Sequence, residues 1–421
     1  MMEKGKREGI TAMTEIPRRA DAVVVGGGVI GCSVAYHLAK ADAGPVVLLE
    51  RERLGAGTTW HAAGNITWRP LESGADMVLY AYELLEALAQ ETDIETGWTW
   101  TGRLFLARTS QGLEPFVRMA EAAEAAGVES RMLTLDETAR RNPLIDPAAI
   151  AGAWDNPKSG RLDPTNYTAA LARAARGRGA QIVEDCEVLG IETHGGTVSG
   201  VRTAGGTIAT PVVVLCAGLW SREVAAELGV ALAQGAVEHV YVIAKPAGGV
   251  PREMPSFVSP EDLIYGREEV GGMLVGCFDE DAKIIRPADL PAGFAFSLFD
   301  EDWDKIAPYY EKAMEIFPAL AEAPVRSFVN GPETFTPDGE PLVGAVAGVP
   351  GLHVASALNS HGITLAAGVG HLIADLVTGR RPRFDPSPRA PDRFGSKPAD
   401  ATWLDREISA APSRSYRSAN R

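Results

Sequence analysis

Between residues 26 and 31 the sequence reads Gly-Gly-Gly-Val-Ile-Gly, and this glycine spacing constrains the fold more tightly than any other stretch. Asp21-Ala-Val-Val-Val25 before it is a β-branched run of the kind that forms a fully buried strand, and Cys32–Ala39 after it reads as a helix. Gly26, Gly28 and Gly31 therefore stand in the strand–turn–helix context that G-x-G-x-x-G requires. The glycines permit a tight turn and close backbone approach, and the helix N-terminus offers N–H groups to a pyrophosphate. A second apolar run, Val46-Val-Leu-Leu49, ends at Glu50, about 20 residues past the turn, where a carboxylate binds a ribose hydroxyl. Strand, helix, second strand and terminal Glu together predict a dinucleotide-binding unit; a plain βαβ turn is the structural alternative.

Length and composition bound the rest. A chain of 421 residues can bury a large core and predicts two domains. Its hydrophobic fraction of 46% and charged fraction of 23% are those of an ordinary soluble protein. The formal charge of −15 argues against nucleic acid or an anionic membrane as partner. The four cysteines (Cys32, Cys186, Cys216, Cys277) have no C-x-x-C or metal-like spacing, so no metal is expected and a reduced, cytoplasmic setting is the simplest reading. Residues 1–19 are charged and lack the apolar segment of a signal peptide. No apolar run reaches the roughly 18 residues of a membrane span.

Along the chain, Ser73–Gln90 carries a helical pattern, Gly102–Arg108 alternates like a strand, and Phe116–Ala126 and Leu135–Arg140 read as helices. Asp163-Pro164 opens a further helix, followed by strands at Gln181–Glu184 and Glu187–Glu192. Thr207–Gly218 reads as one buried strand ending in glycine that returns the chain to the nucleotide-binding core. Residues 232–325 are richer in aromatics and alternating strands such as Val240–Ile243 and Gly272–Gly276, as a ligand-covering sheet would be. Gly351–Ala357 and a helix over Gly362–Val377 rejoin the core, and the proline- and charge-rich segment after Arg380 reads as a surface tail.

Further segments follow the glycine turn in a telling order: Thr58-Thr-Trp-His-Ala-Ala-Gly64, Leu215-Cys-Ala-Gly-Leu-Trp-Ser221, Asn330-Gly-Pro-Glu-Thr-Phe-Thr-Pro-Asp-Gly339 and Leu358-Asn-Ser-His-Gly-Ile363. With these the chain resembles the flavoprotein part of dimethylglycine and sarcosine dehydrogenases, within the D-amino-acid-oxidase-like superfamily. The resemblance covers residues 20–385. It implies an α/β fold (α+β overall), with a Rossmann-like FAD-binding domain of the D-amino-acid-oxidase type and a second, mostly antiparallel β-sheet substrate domain. The first would be assembled from residues 20–95, 150–230 and 328–385, and the second from 96–149 and 231–327. Residues 1–19 and 386–421 would be a surface leader and tail.

The resemblance implies FAD in an extended pose. Gly26, Gly28 and Gly31 would meet the pyrophosphate, Glu50 the adenosine ribose beside Arg51, and Val188 the adenine edge through its backbone. Thr58 and Thr59 would lie near the phosphates or the flavin, with Ala63, Gly64, Ala217, Gly218, Trp220, Gly331, His361 and Thr364 completing the cofactor set. Gly362 and Ile363, opening the last helix, would present N–H groups to the flavin C2 carbonyl, where a helix N-terminus stabilises the charge of the reduced ring. In these relatives the histidine of the Trp-His pair bonds to the flavin 8α-methyl carbon, which makes His61 the implied covalent anchor. The alternative is a His61 that only packs or hydrogen-bonds near the ring.

His239 falls where the resembling dehydrogenases place a histidine beside the flavin, and Tyr265–Glu269 matches their Tyr-x-Arg-Glu-Glu segment, whose tyrosine faces the substrate. His239 and Tyr265 are thus the candidate catalytic residues, although on spacing alone each is an ordinary strand residue. Arg267 reads more simply as a partner of Glu268 or Glu269 than as a ligand for a substrate carboxylate, and His37, His194, His353 and His371 read as structural.

The implied activity is oxidation of a secondary or tertiary amine, such as N-demethylation of dimethylglycine or sarcosine, with hydride passing to the flavin and the iminium hydrolysing to formaldehyde. A free alkylamine has a pKa near about 10, like a lysine, so a proton must leave first. An apolar pocket with His239 and Tyr265 would lower that value by desolvation and accept the proton. Oxygen or an electron-transfer protein would take the electrons, and a homo-oligomer is compatible with the sequence. A D-amino-acid or imino-acid dehydrogenase of the same fold, or a flavin-carrying subunit of a hetero-oligomer, are the alternatives. The full-length dehydrogenases continue into folate-binding domains, whereas this sequence ends in a short polar tail; formaldehyde would then be released free or passed to a separate protein.

Overall fold

In the computed structural model residues 16–418 are described; most of the expected leader, residues 1–15, and residues 419–421 lie outside them. The glycine turn sits at the centre of a six-stranded sheet. Its strands run Leu342–Ala345, Leu352–Ser356, Val213–Leu215, Ala22–Val25, Val46–Leu49 and Gln181–Val183, parallel except for the first. The central strands are apolar at every position because both faces are covered. Ala22, Val24, Val46 and Leu48 point to one side, into a core shared with helices Val29–Lys40, Pro164–Gly177 and Gly362–Thr378. Val23, Val25, Val47 and Leu49 point to the other, against the three-stranded sheet of Val188–His194, Thr197–Thr203 and Gly206–Ala209.

The second layer is a nine-stranded, mostly antiparallel sheet. Strand Gly235–Ala244 pairs with Gly272–Cys277 on one side and with Val325–Phe335 on the other, and Ile264–Glu269, Ser256–Ser259, Arg103–Ala107 and Gly152–Asn156 continue the order. Period-2 alternation gives this sheet two faces. Leu104, Val240, Val242, Ile264 and Val275 pack under helix Trp303–Ile316, while Phe105, Tyr241 and Tyr265 turn toward the nucleotide-binding layer. The site lies between that second face and the glycine turn.

Three sequence readings differ from this arrangement. Thr207–Gly218 is two strands in different sheets, Gly206–Ala209 and Val213–Leu215, because Pro211 between them cannot donate a ladder hydrogen bond. Gly152–Asn156 and all of Val325–Phe335 belong to the antiparallel sheet, so the boundaries at 150 and 328 cut through its strands or miss them. The tail at 386–421 is not a loose surface segment over its described part. Helices Ala401–Ser409 and Ala411–Ser418 bury Leu404, Ile408 and Ala411 against Val237 and Phe335, and Arg389 is 2% exposed. Apolar positions at helical spacing inside a polar composition hold it down. Residues 16–19 of the expected leader likewise dock, the Arg18 carbonyl accepting from Ala209 N at 3.0 Å.

Candidate functional site

A cavity of about 370 Å³ runs from the glycine turn to the antiparallel sheet. At its nucleotide end the turn is as tight as its glycines allow: Gly26 has φ +106°, and a Cβ on Gly31 would sit 1.8 Å from the Gly26 carbonyl oxygen. Glu50 reaches back across the turn, accepting from Gly27 N at 2.6 Å and Glu52 N at 2.8 Å, while burial raises its pKa. Thr59 Oγ1 accepts from Val29 N at 3.1 Å at the helix start, and Thr58 Oγ1 donates to the Pro332 carbonyl. The Arg51 guanidinium lies 4.3 Å from the Trp220 ring centroid and donates to the Phe294 carbonyl.

Midway stands His61, in a single 3-10 turn, with its carbonyl accepting from the Tyr241 hydroxyl at 3.0 Å. Its ring lies against Gly331, where a Cβ would come within 2.6 Å of the imidazole. Burial first, then the neighbouring His239, lowers its pKa to about 4, so the ring is neutral. Nε2 is buried and without a hydrogen-bond partner among the described residues.

At the far end His239 Nε2 meets the Tyr265 hydroxyl at 2.9 Å, the two rings stacked at 16°. Burial lowers the pKa of His239 and raises that of Tyr265, keeping both neutral. Phe278 packs on both rings, and Tyr416 of the last helix stacks on Phe278 with centroids 4.0 Å apart. Beside this group lie Arg69, which is 6% exposed and bonds His361 Nε2 at 2.8 Å and Glu72 at 2.7 Å, and Arg103, whose Nη1 donates to Thr67 Oγ1 and whose Nε is buried without a hydrogen-bond partner among the described residues. The first turn of helix Gly362–Thr378 closes this end, with its unmatched N–H groups and the positive end of its dipole.

Of the residues singled out from sequence, Gly26, Gly28, Glu50, Arg51, Thr58, Thr59, His61, Ala63, Gly64, Val188, Ala217, Gly218, Trp220, His239, Tyr265, His361, Gly362, Ile363 and Thr364 all line this one cavity. Gly31 lies behind the turn and Gly331 beneath His61; neither is on the wall. Arg267 is spent on structure, bonding the Ala63 carbonyl and Glu269. His37, buried against Ser33 and Tyr80, is a packing residue. Arg69, Arg103, Glu333 and Tyr416 line the cavity without having been singled out. Arg103 had a signal: it shares a face with Phe105 in an alternating strand, where a cation is out of place. Tyr416 had none, since its segment reads as polar tail.

These features fit an extended dinucleotide: a turn whose missing side chains leave a cradle, a carboxylate past the second strand, and a helix N-terminus at the opposite end. The family model described as "FAD dependent oxidoreductase" matches residues 21–376, and the chain belongs to that family. It is 36% identical over 378 residues to the mitochondrial sarcosine dehydrogenase of Mus musculus, which covers 88% of this chain and 41% of the relative. It is 35% identical over 395 residues to the formaldehyde-forming 4-methylaminobutanoate oxidase of Paenarthrobacter nicotinovorans, covering 94% of this chain and 48% of that protein. The chain thus spans less than half the length of these relatives. Among solved structures, the L-proline dehydrogenase of P. horikoshii superposes with a TM-score of 0.79 at 25% identity, over 90% of this chain and 98% of the other. Among the described residues no helix is long and apolar enough to cross a membrane.

Proposed function

We propose that this chain oxidises a secondary or tertiary N-methyl amine bearing a carboxylate, an N-methyl amino acid of the dimethylglycine or sarcosine kind, with release of formaldehyde. The observation that carries this reading is the hydrogen-bonded His239–Tyr265 pair opening on the same cavity as the glycine turn, with Arg69 and Arg103 beside it. FAD, held along Gly26, Gly28, Glu50 and the first turn at Gly362, would supply the hydride acceptor. The protein's own share is to bind the amine neutral and oriented. Arg69 and Arg103 supply positive charge for a carboxylate, and the apolar walls of Phe278, Tyr241 and Tyr416 disfavour the ammonium form. Tyr265 and His239 receive the proton that leaves nitrogen.

His61 is the assigned covalent anchor for the flavin. Its support is a neutral, buried imidazole whose Nε2 has no hydrogen-bond partner among the described residues. The electron acceptor is oxygen or an electron-transfer protein, and the free state of all four cysteines supports a cytoplasmic setting. Anaerobic titration of the yellow protein with a panel of N-methyl and D-amino acids tests the substrate class. Bleaching by N-methylglycines supports it; an oxidised flavin with these and bleaching by a D-amino acid or proline would replace it with a D-amino-acid or imino-acid dehydrogenase.

A further inference from the structure

Strand Val325–Phe335 lies beside strand Gly235–Ala244 in a register that sets His239 opposite Gly331 and Val237 opposite Glu333. Gly331 and Glu333 share a face, and a residue diagonal to its cross-strand neighbour is within reach of a long side chain. The bare Gly331 leaves room for the His61 ring, and Glu333 extends diagonally until its Oε2 lies 3.4 Å from His239 Nδ1. Ser360 donates to the same oxygen at 2.7 Å.

The loop carrying Ser360 is costly to build. Ala357, Asn359 and Ser360 have φ values of 53°, 50° and 64°, a left-handed conformation that non-glycine residues avoid. Tertiary bonds impose it: Asn359 Oδ1 accepts from Thr336 N at 2.8 Å, and Asn359 N donates to the Thr334 carbonyl. Strain held this way at a cavity wall fixes where the Ser360 hydroxyl points, and through it the Glu333 carboxylate.

We propose that Glu333 is the positioning residue of this site, holding the single proton of neutral His239 on Nδ1, so that Nε2 accepts the Tyr265 hydroxyl proton and the phenol oxygen meets the substrate as an acceptor. A carboxylate only accepts, so the ring nitrogen facing it must be the donor, and a neutral imidazole then has one lone pair left, at Nε2. The groups facing His239 are Glu333, Tyr265, His61, Lys305 and Asp279; of these, Glu333 alone faces Nδ1 at ion-pair distance. The relay follows and balances. The substrate ammonium gives its proton to the Tyr265 oxygen, Tyr265 passes its own proton to Nε2, and the resulting imidazolium stands beside the Glu333 carboxylate. Substrate loses one proton, His239 gains one, and Tyr265 ends unchanged.

The assignment rests on the amine-oxidation reading, but its first test needs no substrate. Holoprotein labelled with ring-¹⁵N histidine, with His239→Asn used to assign the signal, reports the tautomer by NMR. The Nδ1–H form is expected in the wild type and in Glu333→Gln, whose amide oxygen still accepts, and a tautomer mixture in Glu333→Ala. An Nε2–H tautomer in the wild type, or no change in Glu333→Ala, overturns the proposal. A second readout is the pH profile of flavin reduction by the best N-methyl amino acid. Loss of the carboxylate in Glu333→Gln lowers the pKa of His239, so the acid limb is expected to move to lower pH by about one unit with FAD content unchanged. An unmoved limb overturns it. If no N-methyl amino acid reduces the flavin while the Nδ1–H tautomer is present, the functional reading fails and the positioning role stands.

Discussion

His239 and Tyr265 touch across an intervening strand. They come from Gly235–Ala244 and Ile264–Glu269, with Gly272–Cys277 between, and the residue of that strand opposite Tyr265 is Gly276, which faces Tyr241 on its other side. A Cβ there would sit 2.4 Å from Tyr265 Cζ, so the phenol leans over bare backbone to reach the imidazole. A Gly276→Ala substitution is expected to push the ring away and slow flavin reduction, on the order of 10²-fold, the usual contribution of one acid–base group. FAD content should be unchanged. Stopped-flow reduction at the wild-type rate would refute this use of Gly276.

The same kind of close approach holds His61 in place. With Gly331 replaced by alanine, the new Cβ would meet the imidazole at 2.6 Å and displace it. Acid precipitation of the wild type is expected to leave the yellow colour in the pellet, of Gly331→Ala to leave less, and of His61→Ala to leave none. A yellow supernatant from the wild type would remove His61 as anchor.

Arg103 is expected to act on affinity. Its Nε is buried with no hydrogen-bond partner among the described residues, and a charge-assisted hydrogen bond contributes about 1.5–3 kcal/mol, so Arg103→Met should raise KM for a carboxylated amine roughly 10- to 100-fold. An otherwise similar amine without the carboxylate should show little change. Equal losses for both amines would mean that Arg103 serves the fold.

Stability should depend on pH through the buried histidines. Burial holds His37, His61 and His361 at about 3, about 4 and about 3, against 6.5 when unfolded. The unfolded chain therefore binds more protons from pH 6.5 downward, so the stability of keeping them neutral is complete above that value and falls as the pH drops toward their folded values. Each such group contributes a loss of roughly 2 kcal/mol by about pH 5. Glu50 and Glu72, whose pKa burial raises, act in the opposite direction. The melting temperature is expected to fall between about pH 7 and pH 5, and to fall less in His37→Gln. Identical slopes in the two proteins would contradict this.

The nucleotide half of the site was legible because it is built from local rules. Gly26–Gly31 and Glu50 are fixed by a turn and two strands close in sequence, and the first turn at Gly362 by a helix start. The substrate half depends on register between distant strands. His239 and Tyr265 carried a signal only through the resemblance, and nothing local says that Gly276 and Gly331 are bare so that rings can lie on them. Glu333 sits within a quoted motif, yet its role requires knowing that it lies diagonal to His239. Tyr416 was hidden by composition: Leu404, Ile408 and Ala411 are too few to outweigh the prolines and charges around them, but tertiary contact buries them all.

The most direct measurement is anaerobic stopped-flow reduction of the bound flavin by sarcosine or dimethylglycine in the wild type and in Tyr265→Phe, at matched FAD content. The expected result is rapid reduction in the wild type and a rate lower by about 10²-fold or more in the variant, with the cofactor equally retained. Equal rates in the two proteins would contradict the claim that the His239–Tyr265 pair takes the proton from the amine.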